Sequence, residues 1–429
     1  MSLKGLPNKV RALLITQLLF NIGFYLVVPF IAVELSENRA ASGAMVGLIL
    51  GLRTFSQQGM FFLGGGLADR FGAITILLIG VSIRVMGFLV VGITDSIAGM
   101  IIGVILIGFA AALFSPAVES LLATAGGRLQ QQHITTRAQL FALDNAYSRI
   151  GALTGPLIGA LLIPLGFDLV SYVGAVIFAG IFLLHLALLR RWPASQSEKT
   201  QQMAADGEAG ADIVNPSMLQ AWGRIIRNGP FVVFALLYST YLLAYNQQYL
   251  ALPVELRRAT GSDSALSWYF AGAAVFVIGL QTTVTRWAES MPPIVALSGG
   301  FTMMSAGFAV VAAAAPVQLS GALAYLPSIA MMAIMHTGMM LAVPIAKDMV
   351  GNLAGNRDLG SAYGFLNSFG GLTVLIGSVA VGATLDWAET PSPQATVPWL
   401  TMTAMLAISA IGMARLKHRF ATDSVRARQ

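Results

Sequence analysis

The sequence predicts an all-α integral membrane protein with twelve transmembrane helices in two bundles of six. Three observations carry this prediction. The 429-residue chain is 56% hydrophobic and only 10% charged, with a mean hydropathy of +0.75, which is far from the composition of a soluble domain. Apolar windows of about twenty residues recur along the chain. One polar stretch separates the windows into two equal sets.

Each window is long enough to cross a hydrocarbon core of about 30 Å at 1.5 Å per residue. The predicted helices, numbered 1 to 12, cover residues 11–34, 43–63, 73–94, 97–123, 137–163, 167–190, 229–252, 265–285, 293–315, 318–345, 359–386 and 396–415.

The polar stretch has the composition of a flexible linker, because it contains few large apolar residues. We therefore expect a first six-helix bundle at 1–190, a cytoplasmic linker at 191–228 and a second bundle with a short cytoplasmic tail at 229–429. Of the 25 lysines and arginines, 19 flank one side of the predicted helices, three flank the other side and three lie within helices. Since positive residues concentrate in cytoplasmic loops, both termini are predicted to be cytoplasmic.

Composition also excludes several classes of protein. The chain has no cysteine, which rules out disulfides, thiolate metal sites and cysteine nucleophiles, and its 4 histidines are scattered singly. It shows no P-loop, no nucleophile elbow and no paired catalytic carboxylates with metal ligands. We therefore expect no enzyme activity, no catalytic residue, no cofactor and no metal. The net charge of +6 sits on membrane-flanking residues and does not indicate nucleic acid.

A short polar break separates predicted helices 2 and 3. It reads Gly65-Gly66-Leu67-Ala68-Asp69-Arg70-Phe71-Gly72. Glycines at both ends permit a sharp turn and close helix approach, and Asp69 can accept hydrogen bonds from free amides at a helix N-terminus. Arg70 indicates the cytoplasmic side. The break is therefore predicted to be a tight loop at the membrane surface.

Predicted helix 5 contains a second informative stretch. Gly151, Gly155 and Gly159 are spaced by four and form a flat face for close packing, while Pro156 removes a backbone donor and kinks the helix. Spacing alone fits an ordinary packing face equally well. Asp144 lies on nearly the same face, inside the membrane, where a carboxyl is costly to ionise unless paired. It suits a proton carrier, and the alternative is a fixed ion pair with an arginine.

Polar residues within the predicted helices are candidates to line a cavity, because polar groups in lipid turn towards partners or water. Arg53 and Gln57 lie four apart in predicted helix 2, and Asn367 is in predicted helix 11. Stripes on helices 1 and 7, and a histidine among methionines in helix 10, complete the predicted substrate site: Gln17, Asn21, Tyr25, Tyr238, Tyr241, Tyr245, Gln248 and His336. Methionines suit varied apolar ligands, but they fill ordinary cores as often.

Taken together, the six-plus-six helices, the polar break and the helix 5 glycines resemble the major facilitator superfamily of transporters over essentially the whole chain. The break resembles the superfamily signature between helices 2 and 3, although Ala73 and Ile74 replace the usual basic residues. The helix 5 stretch resembles the signature of its proton-coupled exporters, with Ala160 in place of the last glycine. The run from Gly51 to Gly59 resembles bacterial multidrug exporters of the drug:proton antiporter group.

This resemblance implies alternating access of two bundles around a central site. It implies proton-coupled export of small amphipathic molecules, in a bacterial inner membrane, by a protein expected to be monomeric. Asp144 and Glu119 would couple protons, although the family's usual arginine in helix 4 is replaced by Val104. The residues implied in gating are Gly65, Asp69, Arg70, Gly72, Gly151, Gly155, Pro156 and Gly159. A dedicated exporter of one metabolite, such as a siderophore, and a proton-coupled nutrient symporter are the alternatives.

Overall fold

The computed structural model describes residues 6–135, 137–188, 223, 225–262, 264–353 and 359–426, and within these ranges it is helical without strands. Eleven helices in this part of the chain are long and apolar enough to cross a membrane. The all-α membrane fold is therefore confirmed. The predicted linker at 191–228 lies almost entirely outside the described residues.

The helices from the first half of the sequence are α1 (Asn8–Val27), α2 (Ile31–Val33), α3 (Gly43–Thr54), α4 (Phe61–Phe71), α5 (Ala73–Ile93), α6 (Ile97–Gln131), α7 (Arg137–Leu162) and α8 (Phe167–Leu188). Those from the second half are α9 (Gly229–Thr260), α10 (Leu266–Glu289), α11 (Pro293–Ala314), α12 (Leu326–Leu353), α13 (Leu359–Leu385) and α14 (Val397–Arg426).

Predicted helix 2 does not form a single α-helix long enough to cross a bilayer. Its first part, α3, passes into a π-helical turn at Phe55–Gly59, and α4 begins after Met60. Neither α3 nor α4 alone reaches the roughly 20 residues needed to cross a bilayer. Twelve crossings and cytoplasmic termini stay predictions.

Several helices extend beyond the predicted ends. Helix α9 runs to Thr260, past the predicted end at 252, and Gly261 then caps it in the left-handed conformation, with φ 77°. The amide of Gly261 donates to the carbonyl of Arg257 at 2.8 Å. Hydropathy windows detect only the apolar core of the bilayer, whereas the backbone hydrogen bonds of a helix continue into the polar surface layer.

The break between predicted helices 2 and 3 is also mostly helical. Helix α4 continues through Asp69 and ends at Phe71, so the prediction of an eight-residue loop is wrong. The sharp turn lies at Gly72 alone, whose φ is 86°. A Cβ added to nearby Gly64 would collide with the carbonyl of Ala112 in α6. A glycine just before the break thus lets α4 approach α6 closely, and only Gly72 is needed for the turn.

The first of two compact units comprises Met1–Val28 and Ser56–Leu219. In it α1 packs against α7 and α8, and α5 packs against α6.

The second unit comprises Pro29–Phe55 and Gln220–Gln429. In it α11 packs against α12 and α14, and α3 packs against α13. Helix α3 therefore packs with helices from the second half of the sequence. The domain boundaries expected from the sequence, at 190 and 229, stay a prediction.

Candidate functional site

A buried arginine of α3 is the centre of a polar network in the second unit. Arg53 is only 4% exposed. Its Nη2 donates to Oγ1 of Thr54 at 2.8 Å and to Oδ1 of Asn246 in α9 at 3.2 Å. The hydroxyl of Thr54 also donates to Asn246, at 2.9 Å, and the guanidinium lies 5.6 Å from the ring centroid of Tyr249. The cost of burying this charge is thus offset by hydrogen bonds and by a cation–π contact.

The network continues from Tyr249 to α12. The hydroxyls of Tyr249 and Tyr245 are 3.3 Å apart, and the ring centroid of Tyr245 lies 6.5 Å from that of His336. Nδ1 of His336 is 2.8 Å from the carbonyl oxygen of Met332. We call Arg53, Asn246, Tyr249, Tyr245 and His336 the arginine network. It brings together three of the residues predicted to bind substrate.

Sequence reasoning missed two members of this network, Asn246 and Tyr249. The signal was present, since Asn246 stands in a run of three consecutive amide side chains inside an apolar helix. The predicted stripe, whose residues are spaced by three and four, did not include Asn246. Gln248, which the stripe included, is buried, and its Nε2 has no hydrogen-bond partner among the described residues.

Of the other predicted substrate residues of the second unit, Tyr238 and Tyr241 pack on each other, and Tyr241 also interacts electrostatically with Tyr245 of the network. The rings of Tyr238 and Tyr241 are 4.4 Å apart, and Tyr238 stacks on Phe234 at 5.7 Å. Asn367 is half-buried in α13. Four methionines around His336 are buried: Met331, Met332, Met335 and Met340. The methionines here serve as core.

Gln57 lies in the π-helical turn, in the first unit, where α-helical spacing from Arg53 no longer holds.

In the first unit, the predicted substrate stripe of α1 lies on the predicted glycine face of α7. Gln17 donates from Nε2 to the hydroxyl of Ser148 at 2.8 Å. A Cβ added to Gly151 would lie 2.6 Å from the Cβ of Asn21, and one added to Gly155 would lie 2.8 Å from the Cβ of Tyr25. Sequence spacing identified both faces but not that they pack on each other.

The rest of the α7 motif is buried within one helix. Pro156 and Gly159 are buried, and α7 passes through Pro156 to Leu162. At the break between α4 and α5, Arg70 is exposed, with its guanidinium 5.3 Å from the ring centroid of Phe71. The side chain of Asp69, and the surroundings of Gly65, lie outside the described residues.

Two carboxyls predicted to couple protons are neighbours in the first unit. Asp144 of α7 is half-buried, and its Oδ1 has no hydrogen-bond partner among the described residues. Glu119 of α6 is exposed and interacts electrostatically with Asp144. No arginine pairs with Asp144 in the described part of the chain. The structure thus brings these two predicted residues together.

A second glycine face, which sequence reasoning did not identify, joins α3 to α13. Gly43, Gly47 and Gly51 are spaced by four along α3. A Cβ added to Gly47 would collide with the carbonyl of Ser378, and one added to Gly51 would lie 3.0 Å from the Cα of Leu375. The backbones of the two helices are therefore in direct contact. We call this contact the glycine seam.

Polar contacts close one end of the glycine seam. Oδ1 of Asp386 accepts a hydrogen bond from the amide of Gly43 at 2.9 Å, at the N-terminus of α3. Nearby, Nη2 of Arg257 lies 2.8 Å from Oε1 of Glu37. A cavity of about 260 Å³ adjoins Gly43, Arg257 and Asp386. A carboxylate at a helix N-terminus is favoured by the helix dipole.

Long apolar helices with a buried arginine network and a half-buried carboxyl are typical of a polytopic membrane transporter. The described residues contain no group of three or more His, Asp or Glu that could hold a metal ion. The chain belongs to the Major Facilitator Superfamily, whose model matches residues 13–378. It is therefore a multi-pass membrane transporter of small molecules rather than an enzyme.

Two relatives match nearly the whole chain. The uncharacterized MFS-type transporter Rv0849 of Mycobacterium tuberculosis (strain ATCC 25618 / H37Rv) is 33% identical over 397 residues, covering 90% of this chain and 88% of the relative. The multidrug resistance protein MdtH of Citrobacter koseri is 29% identical over 391 residues, covering 91% of this chain and 89% of the relative.

Solved structures show the same fold. The nucleoside transporter NupG has a TM-score of 0.76 at 14% identity, covering 96% of this chain and 99% of that one. The POT family transporter PepTSo has a TM-score of 0.74 at 14% identity, covering 97% and 99%. At these identities the likeness shows the fold alone.

Proposed function

We propose that this protein is a proton-coupled multidrug exporter of a bacterial inner membrane that works by alternating access. The similarity to MdtH over nine-tenths of the chain supports export of several unlike compounds. The structural observation that carries the proposal is the arginine network, because it places tyrosine, histidine and arginine side chains side by side within apolar helices.

Such a set suits amphipathic ligands of varied shape. Tyrosine rings offer apolar faces for stacking, and their hydroxyls, together with His336 and Arg53, offer hydrogen bonds without demanding one ligand geometry. Asn246 and Tyr249 join the predicted binding residues. The polar stripe of α1 contacts α7 in this structure. Substrate binding by this stripe therefore has less direct support than substrate binding by the arginine network.

The test is growth of an efflux-deficient bacterial host expressing the chain, exposed to unrelated amphipathic drugs and, separately, to an iron-chelator load. We expect protection against several drugs, and we expect Tyr245→Leu to reduce it by breaking the network. Tyr172→Phe, which alters a tyrosine of the first unit bonded to the carbonyl of Gly92, is the matched control and should protect normally. Protection against one metabolite alone would favour a dedicated exporter.

Proton coupling is proposed to lie at Asp144, with Glu119 beside it. An Asp144 oxygen without a hydrogen-bond partner among the described residues, next to a second carboxyl, suits a group that gains and loses a proton as water access changes. Asp144→Asn keeps the shape but cannot titrate. It should therefore bind substrate and permit downhill exchange, yet fail to concentrate substrate against its gradient.

Reconstituted vesicles with an imposed proton gradient measure this difference. Asp168→Asn is the control, because Asp168 is exposed at the start of α8. It should transport uphill like the unmodified chain. Uphill transport by Asp144→Asn would remove coupling from Asp144 and leave Glu119 as the carboxyl to test.

Alternating access is proposed to use two closures. The glycine seam, with Asp386 and Arg257 at its end, would close one side of the membrane in this conformation and separate in the other. The break at Gly65, Asp69, Arg70 and Gly72 would latch the opposite side. The face formed by Gly151, Gly155, Pro156 and Gly159 would keep α7 fixed on α1 throughout.

A further inference from the structure

A groove on the second unit runs between α9 and α14 and is apolar except at one end. Its volume is about 590 Å³, and it is lined by Val233, Leu237, Ile408, Ile411, Gly412, Arg415 and Leu416. Val233, Ile408 and Ile411 are 41%, 65% and 53% exposed. In a membrane-spanning helix such exposed aliphatic side chains face lipid.

One wall of the groove contains a glycine, Gly412. A Cβ added to Gly412 would lie 2.7 Å from a methyl group of Leu237, so the side chain of Leu237 packs directly on the backbone of α14 at this position. Ile408, Gly412 and Arg415 share one face of α14 at four- and three-residue spacing. The groove thus passes the bare backbone at Gly412, beside Leu237, and extends to Arg415.

The charge at the end of the groove is positive. Arg415 is exposed, and Arg227, two residues before α9 begins, is exposed at the same end of the helix pair. Basic residues beside a groove between transmembrane helices complement the phosphate of an anionic lipid.

We propose that this groove binds one anionic phospholipid, with an acyl chain along Val233, Ile408 and Gly412 and with its phosphate at Arg415. A zwitterionic lipid of the same chain length fits the apolar channel but carries no net charge to match the basic end. A helix from a second copy of the chain would cover the apolar residues instead of a lipid.

Native mass spectrometry of the purified chain, with equal amounts of phosphatidylglycerol and phosphatidylcholine of identical acyl chains, tests the proposal. We expect one phosphatidylglycerol to be retained in preference to phosphatidylcholine. Arg415→Gln should lower that preference about fivefold, as expected for loss of one basic contact at a membrane surface. Arg286→Gln, at an exposed arginine in the last turn of α10, should leave it unchanged.

Ile408→Trp fills the groove from an exposed position and should lower the retention of both lipids. Equal retention of the two lipids by the unmodified chain would overturn the proposal, as would equal losses in Arg415→Gln and Arg286→Gln. If the unmodified chain forms a dimer without bound lipid, and Ile408→Trp dissociates that dimer, the groove binds a second copy of the chain instead. Thermal unfolding of the unmodified chain is a second test that requires no substitution. The proposal fails if phosphatidylglycerol raises the melting temperature no more than phosphatidylcholine does.

Discussion

The molecule uses a glycine face twice, and the two faces join different parts of the chain. On α7, Gly151 and Gly155 pack against α1, and both helices come from the first half of the sequence and lie in the first unit. On α3, Gly43 and Gly47 pack against α13, which comes from the second half. The same spacing therefore serves a contact inside one sequence half and a contact between halves.

The surroundings of the two faces differ as well. The α1–α7 contact is supported along its length by side chains, including the hydrogen bond from Gln17 to Ser148. The glycine seam is closed at its end by groups that water reaches, since the side chains of Arg257 and Glu37 are 36% and 46% exposed. Exposed ion pairs contribute little to stability, roughly 0–1 kcal/mol. The first contact has the character of a fixed joint, and the second that of a contact that can open.

We expect the largest effect on stability from adding side-chain volume to the contact between α1 and α7. Gly155→Leu places a branched side chain where even a Cβ lies 2.9 Å from the carbonyl oxygen of Ile22. Overpacking of this kind costs about 1–3 kcal/mol, so folded yield and melting temperature should fall. Gly180→Leu is the control, because a Cβ there has nothing within 4 Å. Equal melting temperatures for the two variants would show that the spacing on α7 is incidental.

A different outcome is expected when the seam is overfilled. Gly47→Leu should insert and keep a nearly normal melting temperature, because a contact that opens has a second state in which the side chain is accommodated. Transport should be lost, since the closed state cannot form. Gly272→Leu, at a position with nothing within 4 Å of a Cβ, should transport normally. If Gly47→Leu unfolds as readily as Gly155→Leu, the seam is a second fixed joint.

Removing one charge at the end of the seam should have the smallest effect. Asp386→Asn keeps an acceptor for the amide of Gly43 but loses a charge–dipole term of about 0.3–1 kcal/mol. The balance between the closed and open seam should shift about two- to fivefold towards open, measured by cysteine labelling at Ala44. Glu389→Gln is the control, because Glu389 lines the same cavity but makes no hydrogen bond to that amide. Identical labelling rates in the two variants would contradict the role of Asp386.

The membrane fold was predictable from the sequence because its signal is additive. Each apolar window of about twenty residues carries the information for one helix, and the windows place most helices correctly. Predicted helix 2 shows the limit of this reasoning. The π-helical turn at Phe55–Gly59 depends on how backbone hydrogen bonds shift by one residue, and hydropathy does not record that shift.

The candidate site was predictable only residue by residue. A polar side chain inside an apolar helix is visible in the sequence, and so Arg53, Tyr245 and His336 were found. Its partner is not visible, because Asn246 lies 193 positions from Arg53. The same limit applies to Gln17, Asn21 and Tyr25, which the sequence marks as polar but whose contacts with α7 it does not show.

The central claim is that the glycine seam opens during the transport cycle. Pulsed electron paramagnetic resonance between nitroxide labels at Glu37→Cys and Arg257→Cys tests it directly, because the chain has no native cysteine and these two side chains meet at 2.8 Å. The control pair is Asp95→Cys and Asp168→Cys, two exposed positions in the first unit. The hydrogen bond from Tyr172 to the carbonyl of Gly92 joins the two helices next to these positions.

The measurement is made in liposomes at acidic and alkaline pH, with and without a drug against which the chain protects the host. We expect a second, longer distance for the 37–257 pair, whose population changes between conditions. The control pair should keep one distance throughout. A single short distance between residues 37 and 257 under every condition, in protein that still transports that drug, would contradict the opening of the glycine seam.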